Sequence, residues 1–172
     1  METALDIQIA RDILDAPEAQ SLQLLLEDCL VALAQVVPDA LESKLSQELC
    51  LRLCSEAESQ ELNNTFRNKD KPTNILSFGL LEEGSPVLAM PEQDLPLGDL
   101  ALCWPVAIQE AQQQGKDLGH HVSHLFLHGV LHLLGFDHEG ADEAEVMEQF
   151  EIQALALLSI ADPYLEQNTN DS

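Results

Sequence analysis

Alternation of apolar and polar residues predicts four short β-strands along the chain. The clearest is QELCLRLC, residues 47–54, where Leu49, Leu51 and Leu53 would face one side of a sheet and the intervening residues the other. The three remaining predicted strands cover residues 5–10, 75–78 and 97–103. The chain therefore carries enough strand for one small sheet.

Between the strands, apolar residues recur at the spacing of amphipathic helices. Five helices are predicted, at residues 17–36, 55–67, 105–115, 118–134 and 142–159. Pro17 suits the first turn of the first helix, and Ser55 with Glu58 forms a capping box for the second. Asp142 with Glu145 resembles a cap for the last helix. The order β-α-β-α-β-β followed by helices predicts an α+β fold, with helices on one or both faces of the sheet.

Composition bounds the organisation of the chain. Its 172 residues, 45% of them hydrophobic, suit one domain with a substantial core and exclude a disordered protein. The domain is expected to cover residues 1–164, with the polar residues 165–172 as a disordered tail. No run of eighteen apolar residues and no signal-peptide pattern occurs, so we predict a cytoplasmic protein with no membrane contact.

The charge distribution is uneven. The net charge is −24, with only seven Lys plus Arg, which by itself argues against non-specific binding of nucleic acid. Three of those seven cations, Arg67, Lys69 and Lys71, nevertheless lie within five residues of one another. This cluster is either an ordinary solvated turn or a local site for an anion.

The most informative stretch is HGVLHLLGFDH, residues 128–138. His128 and His132 are four apart in a predicted helix, so both rings project from one face and can bind the same metal ion. His124 cannot complete this site, because residues 124 to 132 spread over about 12 Å of helix axis, whereas metal–nitrogen bonds are about 2 Å. The third ligand must follow a chain reversal, which Gly135 can provide, and His138 then returns to the metal.

Three imidazoles leave a coordination position open, which is typical of catalytic metal sites. Zinc is the first candidate, at one ion per chain, and nickel or copper would also fit imidazole ligands. Asp137 and Glu139 flank His138, and there are two interpretations of these carboxylates. Either one of them acts as the general base, or Asp137 orients the neighbouring ligand His138. His124, one turn before His128, is expected either to contact substrate or to lie on the helix surface.

Gly129 argues against a protease. Zinc proteases with this histidine spacing carry a glutamate there as the general base. The glycine is expected instead to open space above the metal for a bulky nucleotide. A phosphodiester substrate needs a guanidinium to hold its oxygens, and Arg67 with Lys69 and Lys71 is the cation cluster available.

Three segments in this order resemble the YbeY family. They are LNNTFRNKDKPTNILSF (62–78), LGDLALC (97–103) and HGVLHLLGFDH, followed by a late ADPY. The family comprises bacterial metal-dependent endoribonucleases of rRNA maturation and ribosome quality control. The resemblance extends from about residue 45 to Tyr164.

The resemblance implies a small mixed β-sheet of about four strands packed with about five helices. It places zinc ligands at His128, His132 and His138, and an active-site arginine at Arg67. We therefore expect Arg67 and His128 to be catalytic, with substrate contacts contributed by Lys69, Lys71 and His124.

The implied substrate is single-stranded RNA, with the 3′ end of 16S rRNA in the small ribosomal subunit as the main candidate. A small-subunit ribosomal protein and a ribosome-assembly GTPase are the implied partners. The alternative hypothesis is a non-catalytic ribosome-assembly factor in which the metal site is structural.

Overall fold

The four predicted strands form one sheet in the computed structural model, which describes residues 4–79, 95–136 and 140–165. The strands are β1 (Ala4–Ile9), β2 (Glu48–Cys54), β3 (Ile75–Phe78) and β4 (Gly98–Cys103), in the order β1-β2-β4-β3. β1, β2 and β4 are parallel, and β3 is antiparallel to β4. The α+β fold with a mixed sheet is confirmed, with each strand within about one residue of its predicted position.

Six α-helices pack around this sheet within the described ranges. They are α1 (Ala19–Val36), α2 (Asp39–Glu42), α3 (Glu56–Arg67), α4 (Trp104–Gln114), α5 (Leu118–Leu133) and α6 (Ala141–Leu157), and a 3-10 helix covers Ser43–Ser46. The five long helices begin and end within about two residues of the predicted bounds. α2 and the 3-10 helix were not predicted, because four residues are too few to show a helical period.

Of the three predicted helix starts, that of α3 is confirmed, and those of α1 and α6 differ in the structure. The Ser55 hydroxyl accepts a hydrogen bond from the Glu58 backbone N–H at 3.2 Å, which confirms the cap of α3. The predicted cap of α6 is wrong, because Gly140 is the N-cap and Asp142 lies inside the first turn. Its negative charge still favours the helix N-terminus. Pro17 lies outside α1, whose N-cap is Glu18.

Both faces of the sheet are covered. Leu49, Leu51 and Leu53 of β2 are buried in the main core with residues of α1, α5 and α6. On the opposite face, Cys54 and Cys103 belong to a smaller buried cluster against which Leu62 and Val106 pack. The leucines and Cys54 of β2 therefore lie on opposite faces of the sheet, as the alternation predicts, and the structure adds that each face carries a buried cluster. In the part of the chain that the structure describes, no helix is long and apolar enough to cross a bilayer.

Candidate active site

Two of the histidines of α5, His128 and His132, meet at their Nε2 atoms. The Nε2 atoms of His128 and His132 lie 3.2 Å apart, with the rings nearly perpendicular. A tetrahedral zinc ion with bonds of about 2.0–2.1 Å would separate two ligand nitrogens by about 3.3–3.4 Å. The pair is therefore arranged as the helix spacing predicts and fits a shared metal ion.

Gly135 reverses the chain directly after α5. Its φ is 104°, in the left-handed region, and its N–H donates to His132 O at 3.0 Å. The N–H of Phe136 donates back to Leu131 O at 3.1 Å, which completes the helix end. Asp137, His138 and Glu139 lie outside the described residues. Among the described residues no group of three metal-binding side chains occurs, so the third ligand stays a prediction.

A buried carboxylate orients the His128 ring. Glu151 on α6 is 0% exposed, and its Oε1 accepts a hydrogen bond from His128 Nδ1 at 2.7 Å. With its proton on Nδ1, His128 presents the Nε2 lone pair towards His132. The Tyr164 hydroxyl donates to the other carboxylate oxygen of Glu151 at 2.5 Å. This is the carboxylate–histidine arrangement that fixes metal ligands in other proteins.

The pKa of Glu151 reflects these contacts. Burial alone raises it, but hydrogen bonds from His124, His128 and Tyr164 outweigh burial and hold the pKa at about 2. The side chain is therefore an anion at neutral pH. Sequence reasoning missed Glu151 and assigned the orienting role to Asp137. The available signal was a carboxylate within an apolar helical stripe, since Met147, Ala154 and Leu155 are all buried.

Changing Glu151 to glutamine is expected to weaken zinc binding by about 10- to 100-fold, the usual cost of losing a group that orients a metal ligand. The glutamine amide has no negative charge. Its NH2 group would also lie against either the His128 N–H or the Tyr164 hydroxyl, both of which donate to the carboxylate of the unmodified protein. Competition with a colorimetric zinc chelator measures the affinity. Glu145→Gln, at an exposed position of the same helix, should bind zinc like the unmodified protein. Equal affinities for both variants would contradict an orienting role for Glu151.

His124 lies behind His128. Its side chain is 15% exposed, and its Nε2 lies 3.3 Å from the Tyr164 hydroxyl and 3.5 Å from Glu151 Oε1. It lines a small separate cavity with His120 and His121. It is not among the described residues that line the Arg67 pocket. A substrate contact by His124 stays a prediction, and its observed contacts are with the Glu151–Tyr164 pair.

Arg67, the last residue of α3, lines the same pocket as the two histidines. The pocket has a volume of about 530 Å³. One guanidinium nitrogen of Arg67 donates to Ser77 O at 2.7 Å and another to Phe66 O at 3.1 Å. A guanidinium has five N–H donors, so donors remain for an anion. Arg67 is exposed, and it lines the same pocket as His128, with which the sequence analysis grouped it.

The cationic turn after Arg67 is held to α3 by side-chain hydrogen bonds. The buried Asn63 donates to Lys71 O at 2.9 Å. The Ser59 hydroxyl donates to Thr73 O at 2.9 Å and accepts from Thr73 N–H at 3.0 Å. These bonds distinguish the segment from an ordinary solvated turn. Lys69 and Lys71 both line the pocket, as predicted from their proximity to Arg67.

Asn74, at the C-terminal end of the turn that follows Arg67, is connected to α4 and α5 by hydrogen bonds. The Asn74 side chain accepts from Ile75 N–H at 2.7 Å and donates to the Glu110 carboxylate at 3.2 Å. Glu110 also accepts from His121 Nε2 at 3.0 Å. The hydrogen bond from His121, aided by that from Asn74, lowers the pKa of Glu110 against the opposing effect of burial. The pocket wall is thereby connected to the histidine helix.

Gly129 has a different role from the one predicted. The sequence interpretation gave it open space above the metal, and this is wrong, because Gly129 is buried against the sheet. A Cβ atom there would lie 2.9 Å from Ile75 Cδ1 and from Leu100 Cδ2. The Ser77 hydroxyl also donates to Gly129 O at 3.2 Å. The glycine allows α5 to pack closely on β3 and β4.

The pocket is cationic in an acidic protein. Its described lining contains Arg67, Lys69, Lys71 and both histidines, and it includes no Asp or Glu side chain. The whole chain has 31 Asp plus Glu and seven Lys plus Arg. Among the described residues, the lining of this concave surface therefore carries cations and no carboxylate, which suits a negatively charged ligand.

Comparison with known proteins adds the family to this geometry. A family model described as Endoribonuclease YbeY matches residues 13–159. A relative of that name from Francisella tularensis subsp. mediasiatica (strain FSC147) is 46% identical over 144 residues, covering 82% of this chain and 85% of the relative. Another relative of that name, from Acinetobacter baumannii (strain ACICU), is 55% identical over 112 residues, covering 63% of this chain and 68% of the relative. The solution structure of TM1509 from Thermotoga maritima shares the fold, with a TM-score of 0.52 and 23% identity. The match covers 92% of this chain and 98% of TM1509.

Proposed function

This chain belongs to the YbeY endoribonuclease family, and from that premise we propose that it is a metal-dependent endoribonuclease that cleaves single-stranded RNA. The observation that carries the proposal is the composition of one pocket. Paired imidazoles and three cations line it, and no carboxylate occurs among its described lining residues. A phosphodiester backbone is the polyanion that such a surface would attract.

Arg67 would hold the scissile phosphate. Its guanidinium is fixed by two backbone carbonyls, so it presents its remaining donors in a defined direction. Positioned N–H donors stabilise the negative charge that grows on phosphate oxygens as the bond breaks. Lys69 and Lys71, on the same wall, would contact neighbouring phosphates and position the strand.

A metal ion would be held by His128, His132 and His138, the last of these carried over from the family resemblance. The 3.2 Å separation of the first two Nε2 atoms fits such an ion. When bound, the metal supplies Lewis acidity at the phosphate. Zinc remains the first candidate, with nickel or copper as alternatives. Glu151 would hold the His128 ring so that its Nε2 points into the pocket.

The described pocket lining has no Asp or Glu, so we assign no general base among those residues. Glu151 is excluded from that role because it is fully buried and both of its oxygens accept hydrogen bonds. Its contribution is therefore to orientation. The natural substrate that we propose is the 3′ end of 16S rRNA. The proposed context is the small ribosomal subunit, with a small-subunit ribosomal protein and a ribosome-assembly GTPase as partners.

Replacing Arg67 by alanine is expected to lower the rate of cleavage of a single-stranded RNA by about 100-fold or more, the usual cost of removing one positioned donor. Metal content should be unchanged, because Arg67 is not a predicted ligand. The matched control is Arg11→Ala, which removes an exposed arginine outside the pocket. Its rate should equal that of the unmodified protein.

Two results would contradict this proposal. If the Arg67→Ala variant and the chelator-treated protein both cleaved RNA as fast as the unmodified protein, a contaminating nuclease would be the source. No cleavage by metal-loaded protein that still binds small subunits would favour the alternative, a ribosome-assembly factor with a structural metal. The strong net negative charge, which suits contact with basic ribosomal proteins, is the feature that favours this second candidate.

A further inference from the structure

Phe66 is an exposed aromatic residue beside the pocket. Its side chain is 53% exposed, and it is the one aromatic residue among the exposed large hydrophobic side chains of the described chain. Trp104 and Phe126, by contrast, are buried in the main core. A large apolar ring left in solvent next to a cationic site points to a ligand with an apolar face.

The Phe66 ring is held in position by its neighbours. It packs edge-to-face on Phe78, with ring centroids 5.3 Å apart and planes at 68°. The Arg67 guanidinium lies over the same Phe78 ring, 5.3 Å from its centroid. Because Phe66 and Arg67 are consecutive and both contact Phe78, the exposed ring and the proposed phosphate-binding group have a fixed relation to each other.

A single RNA strand has a matching arrangement of groups. Each nucleotide carries a phosphate and, when unpaired, a base whose flat face stacks on aromatic side chains. We propose that Phe66, braced by Phe78, is a stacking subsite for an unpaired nucleobase adjacent to the phosphate held by Arg67. This inference rests on the proposed function and deepens it, because a base inside a duplex cannot offer its face. Phe66 would thereby contribute to the preference for single strands.

The test is direct binding, measured by fluorescence anisotropy with two labelled probes. One is a short single-stranded RNA, and the other is an abasic ribose-phosphate oligomer of the same length and charge. Phe66→Ala should weaken binding of the RNA by about 5- to 100-fold, the range for one lost base stack. It should leave binding of the abasic oligomer unchanged. Phe66→Trp should restore RNA binding, and it serves as the second variant should the alanine protein fold poorly.

Leu157→Ala is the matched control, since Leu157 is also 53% exposed but lies at the end of α6. It should bind both probes like the unmodified protein. Equal weakening of both probes by Phe66→Ala would overturn the proposal, because the ring would then act only by holding Arg67. Equal binding of the two probes by the unmodified protein would also overturn it. Neither result depends on cleavage, so a failed subsite is distinguishable from a failed nuclease assignment.

Discussion

Replacing His132 by alanine is expected to remove the bound metal and lower RNA cleavage by more than about 100-fold. Losing a group that merely orients a ligand costs about 10- to 100-fold, and His132 is a predicted ligand whose Nε2 lies 3.2 Å from that of His128. Element-specific metal analysis of the purified protein, paired with a single-stranded RNA cleavage assay, measures both effects.

His120→Ala is the control for this variant. It removes an exposed imidazole from the same helix, outside the described lining of the Arg67 pocket, and should leave metal content and rate unchanged. Retention of one metal per chain by the His132→Ala protein would contradict the ligand assignment. Loss of metal and of thermal stability, together with unchanged cleavage, would show that the site is structural.

The second large effect is expected from Gly129→Glu, which restores the residue that zinc proteases carry at this position. The variant should be destabilised by on the order of 3–5 kcal/mol, because its Cβ atom would lie 2.9 Å from side-chain atoms of Ile75 and Leu100 and its charge would be buried against the sheet. That loss is a large fraction of the whole free energy of unfolding of a typical domain, about 5–15 kcal/mol. Urea unfolding followed by circular dichroism measures it.

Gly79→Glu supplies the comparison, since a Cβ atom at Gly79 meets nothing within 4 Å. The same change of residue there should alter the free energy of unfolding by less than about 0.5 kcal/mol. A stable Gly129→Glu protein would show that α5 can shift away from the sheet. Metal-dependent peptide hydrolysis by that protein would revive the protease interpretation.

The strands and long helices could be predicted because their signals are local. Apolar alternation in β2 and the leucine spacing of α1 depend on residues close in sequence. The order of strands depends on tertiary packing, so the sequence pattern did not reveal that β4 lies between β2 and β3. The mixed sheet was predicted from the family resemblance, whereas the order of its strands is known only from the structure.

In the candidate site, too, the features set by neighbouring residues were predicted, and those set by tertiary packing were not. The pairing of His128 with His132 and the reversal at Gly135 follow from helix geometry, and both were predicted. Gly129 was misinterpreted because one residue along a helix is a rotation of about 100°. The residue after a metal-facing histidine can therefore face the sheet. Glu151 was missed because it reaches His128 only when α6 packs on α5.

The Glu151–Tyr164 pair has a consequence for the order in which the protein matures. Glu151 lies 23 residues after the histidine it orients, and Tyr164 a further 13 residues along the chain. Protein synthesis proceeds from the N-terminus, and a growing chain folds as it emerges. His128 and His132 are thus made well before the carboxylate that orients the His128 ring and the hydroxyl that binds this carboxylate. A nascent chain released before Tyr164 would carry the histidine pair without the groups that orient it, so firm binding of the proposed metal ion would have to await synthesis of the last residues of the domain.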